Sequence, residues 1–261
     1  MYRLFFTSFV LSSILLSIQT HANSDLGLNR NQITIGPECY HLKRVRAGGT
    51  TQQGNLYGIH LGYDRLKRYG WYWGLEGSYA RGKLKGHTGD GDQIRSHFND
   101  SFIEGRLGYT FQQKECTKIA FTPFIGGGYS VEKNNFTSPS PLPIHFKTHY
   151  PYMSTGFLSW MHLTDDWEVG LNFKARMAFE PKCHVTHDPD NEPLSQRIGE
   201  RMQYRVDLPI TYRAFCTDHF VITLDPFYEN RHYGPHVNYP FDYLKTRITI
   251  WGAILELVYR M

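Results

Sequence analysis
The sequence predicts an all-β chain folded as a closed, antiparallel, up-and-down transmembrane β-barrel, with ten strands and eight as the alternative count. Three observations predict it. Apolar and polar residues alternate with period two along ten segments, the signal of strands with one greasy and one polar face. Charged residues concentrate on one side of that alternation. The links between segments are alternately long and short, which places every long link on one rim.

The bulk numbers set the limits within which this reading stands. The 261 residues allow one large β domain or two ordinary domains, and no composition break divides them. Charged residues at 20% exclude a helical membrane protein, and beyond the first segment no stretch approaches the ~18 to 20 apolar residues of a spanning helix. A chain that crosses lipid without such helices crosses as a closed barrel, the other structure that satisfies every backbone group there. Residues 1–22 read as a secretory leader: Arg3, an apolar core from Leu4 to Ile18, and Thr20-His21-Ala22 before Asn23. Residues 23–261 then form a single barrel domain.

Taken in order, the strands are expected at 33–44, 56–67, 71–83, 100–111, 119–132, 150–162, 167–179, 201–213, 219–231 and 246–260. The alternation is clearest at 167–179, where Trp167, Val169, Leu171, Phe173, Ala175, Met177 and Phe179 interleave with Glu168, Gly170, Asn172, Lys174, Arg176 and Ala178. Tyr57, Ile59, Leu61 and Tyr63 alternate with Gly58, His60, Gly62 and Asp64, and Ile103, Leu107 and Tyr109 with Glu104, Arg106 and Gly108. Met202, Tyr204, Val206, Leu208 and Ile210 alternate with Gln203, Arg205, Asp207, Pro209 and Thr211. Residues 84–99, 133–149, 180–200 and 232–245 read as long external loops rich in Gly, Pro, Asn, Asp and His.

The two faces have opposite contents. Inward positions carry Glu76, Glu104, Glu168, Asp207, Asp225, Glu229 and Glu256 against Arg106, Lys174, Arg176, Arg205, Arg213, Arg231 and Arg260, while outward positions of the same stretches carry almost no charge. A lipocalin-type barrel requires the reverse, an apolar interior. Aromatics gather near strand ends, Trp71, Tyr72 and Trp73 at one and Tyr150, Tyr152, Tyr233 and Tyr243 at the other, as girdles at the headgroups would.

Tyr57 to Tyr63, Trp73-Gly74-Leu75-Glu76-Gly77, Glu104-Gly105-Arg106-Leu107-Gly108-Tyr109, the leader and the amphipathic last strand from Thr246 to Met261 carry a family resemblance. The chain resembles the bacterial small outer-membrane β-barrel proteins, the group that includes opacity-type and OmpA-like barrels. Many of those have eight strands and end in Phe or Trp, whereas this chain ends in Met261 with Tyr259 two before it. The resemblance implies an outer-membrane location, contact with outer-membrane lipids and lipopolysaccharide, and delivery to the barrel-assembly machinery through the C-terminal strand.

Function is read from three constellations. The balanced inward charges, centred on Glu76, Glu104, Arg106, Lys174, Arg176, Arg205, Asp207, Asp225, Glu229 and Arg231, offer no ring of one sign to select an ion. They are expected to pair and fill the lumen, ahead of a narrow non-selective pore. Cys183, His184, His187 and Asp188 hold enough ligand atoms for a metal, at a spacing that fits no established motif. Eight of the thirteen His fall on the expected external loops, which opens metal or acid sensing. A barrel enzyme acting on lipid A or peptides is the alternative, with His232 near Glu229 or His87 near Asp90 and Asp92 as its candidates. The principal expectation is a monomeric, non-enzymatic barrel with a structural or surface-interaction role, no cofactor and no nucleic-acid partner. A Cys116–Cys216 bridge is not expected, because their strands stand most of a barrel diameter apart.

Overall fold
The computed structural model describes residues 30–67, 69–112, 119–141, 143–164, 166–189, 191–213, 219–238 and 242–261. The expected leader, Cys116 and Cys216 lie outside the described residues. Six long strands come first: β1 (Arg30–Arg46), β2 (Thr51–Leu66), β3 (Gly70–His87), β4 (Gln93–Gln112), β5 (Ile119–Thr137) and β6 (His145–His162). The seventh ring position is filled by β7 (Trp167–Gly170), β8 (Asn172–Ala178) and β9 (Lys182–Thr186), and the eighth by β10 (Leu194–Arg197), β11 (Met202–Asp207) and β12 (Ile210–Tyr212). β13 (Phe220–Tyr233) and β14 (Thr246–Arg260) complete ten positions, and β14 pairs with β1 to close the ring.

Register fixes the shape. Tyr63 pairs with Leu75, and the row runs on through Gly105, Gly127, Met153, Met177 and Met202. Continued in register through β13, β14 and β1, it returns to β2 at Thr51, twelve residues above its start. With ~3.3 Å per residue and ~4.8 Å between strands, ten strands at that stagger tilt by about 40° and enclose a backbone radius of about 10 Å.

The outer surface carries the apolar set. Trp71, Tyr109, Phe111, Phe121, Trp167, Tyr212, Phe220 and Tyr259 form a lower aromatic ring, and Tyr57, Tyr79, Tyr129, Tyr204, Tyr228 and Trp251 an upper one, all exposed. Between them lie exposed Ile33, Ile35, Leu61, Leu75, Ile103, Leu107, Ile125, Leu171, Leu224, Leu255 and Leu257. At about 2.5 Å of axial climb per residue, the belt is ~25 Å tall, the hydrocarbon thickness that transmembrane barrels match.

Two expectations change. Tyr150, Tyr152, Tyr233 and Tyr243 do not belong to the upper girdle; each is at most 2% exposed and points inward, because it shares the parity of the lumen residues on its strand or connection. Two of the expected long loops, 84–99 and 133–149, are mostly strand. β3 and β4 are joined by 88–92 alone and β5 and β6 by 138–144, so the strands continue well above the belt. Their polar, Asn- and His-rich composition disguises a period-two pattern that persists: Leu84, Ile94 and Phe98 are buried inside while Lys83, Lys85, Arg95 and His97 face out. The turn after β1 needs Gly48 and Gly49, both at φ +87°, a backbone region that favours glycine.

One register step matters for the upper rim. β6 pairs Tyr152 with Ala178 but His149 with Lys182, so one extra residue is inserted between β8 and β9, where Glu180 holds φ +40°. The bulge reverses parity: Lys174 and Arg176 point inward on β8, whereas Cys183 and Val185 do so on β9.

A charge on the belt and a charge above it have different consequences. Leu107→Arg, near mid-belt, is expected to destabilise the folded barrel by about 2–4 kcal/mol. Lys83→Leu, above the upper ring, is expected to change stability by well under 1 kcal/mol. Urea titration of the lipid-refolded protein, followed by heat-modifiable gel migration, measures both.

Candidate functional site
The lumen is layered along its axis. In the middle layer Glu229 is the hub: its Oε1 accepts from Arg176 Nη1 at 3.1 Å and Arg231 Nε at 2.7 Å, and its Oε2 lies 3.7 Å from Arg205 Nη1. Arg231 Nη1 also donates to Asp100 and Glu132, at 3.0 and 2.9 Å. Lys174 Nζ bridges Glu76 and Glu104, Arg106 pairs with Glu76 at 2.9 Å, and Arg205 Nε donates to Asp207 at 2.7 Å. Aromatic faces take the remaining sides of the cations: Arg176 lies over Phe102 and Tyr152, and Arg205 over Phe227 at 4.1 Å. Gly128 makes room for this packing, since a Cβ there would stand 2.5 Å from the Tyr152 ring.

Below this layer a cavity of about 160 Å³ opens toward the rim that carries Arg260, bordered by His60, Asp225, Glu256 and Trp160. Asp225 lines that cavity and takes no ion pair in the network above it. At its mouth Glu168 receives both Arg260 nitrogens, at 3.0 and 2.9 Å, together with Arg213. Glu256 meets His60 at 3.1 Å.

Above the ion layer the lumen becomes largely apolar, with one buried polar cluster in which Gln52 donates to Ser96 at 3.0 Å and accepts from Asn134 at 3.1 Å. Leu42, Leu56, Leu84, Phe98, Cys183, Ile198, Tyr243, Ile248 and Ile250 are each at most 3% exposed and pack into one cluster. A polar junction joins the two layers: Tyr233 donates to Glu132 at 2.5 Å, Tyr150 and Tyr233 share a 3.0 Å hydroxyl contact, and Tyr40 donates to Asp100 at 3.1 Å. Arg46 closes the top over the Tyr243 and Phe146 rings.

The outer face changes at the same height. Above the upper aromatic ring, Lys43, Arg81, Lys83, Lys85, Arg95, Lys133, Lys147, Lys182 and Arg247 point outward and are exposed, and no described outward strand position there is Asp or Glu. The barrel is therefore apolar outside and charged inside within the belt; past the upper ring the outside turns cationic, and beyond Asp100, Glu132 and Arg231 the inside turns largely apolar.

The structure brings together nine of the ten lumen residues singled out in the sequence, with Asp225 at the cavity below. Four groups that complete the layer were missed, Tyr40, Asp100, Glu132 and Tyr150, although Asp100 has the parity of Glu104 and Arg106 on the same strand and Glu132 that of Phe124. The Cys183, His184, His187 and Asp188 set is not brought together. The bulge turns Cys183 inward and His184 outward, His187 stacks on His145, and Asp188 accepts from Asn191. Among the described residues no three His, Cys, Asp or Glu side chains are arranged to hold a metal. His232 faces out, accepting from Arg247 at 2.7 Å, while Glu229 faces in. His87, Asp90 and Asp92 sit about an exposed turn.

The sequence matches no protein-family model and no curated protein sequence. Solved structures do match. The outer membrane protease OmpT from Escherichia coli aligns over 93% of this chain and 99% of its own, with a TM-score of 0.56 at 10% identity. The fold is that of an outer-membrane β-barrel. The translocator domain of the autotransporter NalP from Neisseria meningitidis, at 8% identity and TM-score 0.48, covers 98% of this chain and 95% of its own. The attachment invasion locus protein Ail of Yersinia pestis covers 88% of this chain and 99% of its own, at 13% identity and TM-score 0.35. The chain shares the barrel architecture of OmpT at an identity too low to carry an activity across, and its own belt and lumen mark the lipid-facing side.

Two outcomes test the layering. Glu229→Gln leaves Arg176, Arg205 and Arg231 facing one another and is expected to destabilise the barrel by about 3–5 kcal/mol, with Glu229→Gln/Arg176→Met recovering part of the loss because Glu104 keeps Lys174; denaturant titration reads both. Burial pushes the Cys183 thiol up from its ordinary value, and Cys39 is exposed on the lipid side. In a Cys116→Ser/Cys216→Ser background, a lipid-soluble maleimide is expected to label Cys39 in the folded barrel and to reach Cys183 only after unfolding.

Proposed function
We propose that the protein is a non-conducting outer-membrane barrel with a structural and surface-interaction role, seated in the phosphorylated glycolipid leaflet by its cationic collar. The observation that carries this reading is the reversal of polarity at the upper ring. Up to Asp100, Glu132 and Arg231, just past that ring, the lumen charges neutralise one another at 2.7–3.1 Å; beyond them the cluster around Leu84, Phe98 and Ile248 fills the space an ion would cross. A pore needs a continuous wet path with favourable sites along it, and neither layer supplies one.

The collar argues for the partner. Nine exposed Lys and Arg with no outward acid among the described strand positions form a surface of one sign at headgroup height, matched to lipopolysaccharide phosphates by charge. Insertion as a monomer, by the barrel-assembly machinery acting on the outward Trp251, Leu255, Leu257 and Tyr259 of β14, completes the reading.

The enzyme alternative loses support from geometry. His232 and Glu229 stand on opposite sides of the barrel wall, and a general base must reach the proton it takes.

In planar bilayers the purified protein is expected to give no steady unitary current under applied voltage. Reproducible unitary steps that survive repurification and vanish with heat-denatured protein would overturn the sealed-lumen reading.

A further inference from the structure
The collar is not uniform. Where β5, β6 and β9 run side by side above the membrane, histidines interrupt the lysines. Lys133 pairs with Lys147, Lys147 with His184, and His149 with Lys182. The His149 and His184 rings stack at 4.9 Å with 14° between planes, and His145 and His187 at 4.1 Å with 35°. Four imidazoles and three ammonium groups thus share one patch of outer wall. By the axial climb of the strands, its histidines stand about 8–19 Å above the upper aromatic ring.

The described outward strand positions of the patch carry no carboxylate, and Glu180 and Asp188 flank it. Lys133 comes from β5, with Tyr129 6.2 Å below His149. Beyond β9, Arg197 of β10 is held by Glu180 at 3.0 Å, and Asp188, next along the chain from His187, accepts from Asn191. His145 and His149 therefore titrate among cations. Partial burial, then His184, Lys147 and Lys182, hold His149 below its ordinary value, and burial and His187 do the same for His145. Near pH 7 these rings are neutral, and two stacked imidazoles do not become cations cheaply unless an anion lies over them.

We propose that His145, His149, His184 and His187, together with Lys133, Lys147 and Lys182, form a seat for the phosphomonoesters of the outer-leaflet glycolipid, one that tightens on acidification. This rests on the collar reading above and adds a specific place and a regulation to it. The coupling follows from linkage. A phosphate over the pairs raises the histidine pKa values, so proton and phosphate binding assist each other, and affinity rises as pH falls through and below the ordinary imidazole range. The ligand's own titration acts the other way, since a phosphomonoester with a second pKa of about 6 loses charge over the same interval. A gain in affinity on acidification must come from the protein.

The test uses the full refolded barrel in detergent, titrated with diphosphorylated lipid A at pH 7.5 and 5.5. The unsubstituted protein is expected to bind at least tenfold more tightly at the lower pH. His145→Gln/His149→Gln/His184→Gln/His187→Gln is expected to gain less than twofold between the two pH values, whatever its affinity at pH 7.5. Lys133→Gln/Lys147→Gln/Lys182→Gln is expected to bind more weakly at both. Heat-modifiable migration checks the folding of each variant, and imidazole proton titrations of the unsubstituted barrel with and without lipid A give an independent reading. Binding without a pH gain, or a full gain in the histidine variant, overturns the seat while leaving the collar reading intact. No binding at either pH defeats the collar reading itself. An equal gain with inorganic phosphate alone overturns the glycolipid assignment.

Discussion
Closing the sheet is the constraint on which the rest depends. In hydrocarbon no backbone group finds water, so each of the ten positions must be hydrogen-bonded on both sides, and the β1–β14 ladder from Gln32–Arg260 to Arg46–Thr246 leaves no edge at the seam. Closure with a stagger of twelve residues sets a radius of about 10 Å, which is too small for an open aqueous lumen and too large to be filled by one layer of small side chains. The long inward side chains of Arg106, Lys174, Arg176, Arg205 and Arg231 answer that dimension. Lys174 and Arg231 reach across the axis, Lys174 on β8 to Glu76 on β3 and Glu104 on β4, and Arg231 on β13 to Asp100 on β4 and Glu132 on β5, while Arg106 and Arg205 pair with Glu76 and Asp207 on an adjacent or the same strand.

The ion layer is best understood as a specifier of register rather than a reservoir of stability. Burying charge carries a desolvation penalty that the mutual attraction only partly offsets, while breaking one partner leaves a charge with nowhere to go. A slip of one residue in any of these strands would turn its charges into lipid and its belt residues into the lumen. Above the membrane the same strands obey the opposite solvent rule, and Leu84, Phe98 and Ile248 take the place that Glu76, Glu104 and Glu256 hold lower on their own strands. The upper barrel is thus an ordinary water-soluble β-core continuous with a membrane-embedded one. Its rigidity is what lets a patch of imidazoles keep a fixed spacing at the surface.

Much of this was legible in the residues. Strict alternation at Tyr57–Tyr63 and Trp167–Phe179 fixed which face meets lipid, and the inward acids and bases named themselves by parity. What escaped has physical reasons. Tyr150 and Tyr233 read as interface aromatics because a tyrosine near a strand end is ambiguous until its parity is traced through the whole strand. The upper strands read as loops because Asn, His, Ser and Lys have low β-propensity, a preference that burial of alternate residues overrides. The bulge at Glu180 could not be seen at all: one inserted residue turns Cys183 inward and His184 outward, and nothing in the local sequence announces it.

The central claim is that one continuous strand changes solvent rule at the upper aromatic ring, and β3 is the place to measure it. Spin labels placed singly at positions 75, 79, 83, 84 and 85 of a cysteine-free barrel in lipid, read by collision with oxygen and with a water-soluble nickel chelate, report the solvent at each. The account predicts lipid exposure at 75 and 79, water exposure at 83 and 85, and protection from both reagents at 84. Lipid exposure at 84, or at 83 and 85, would contradict it.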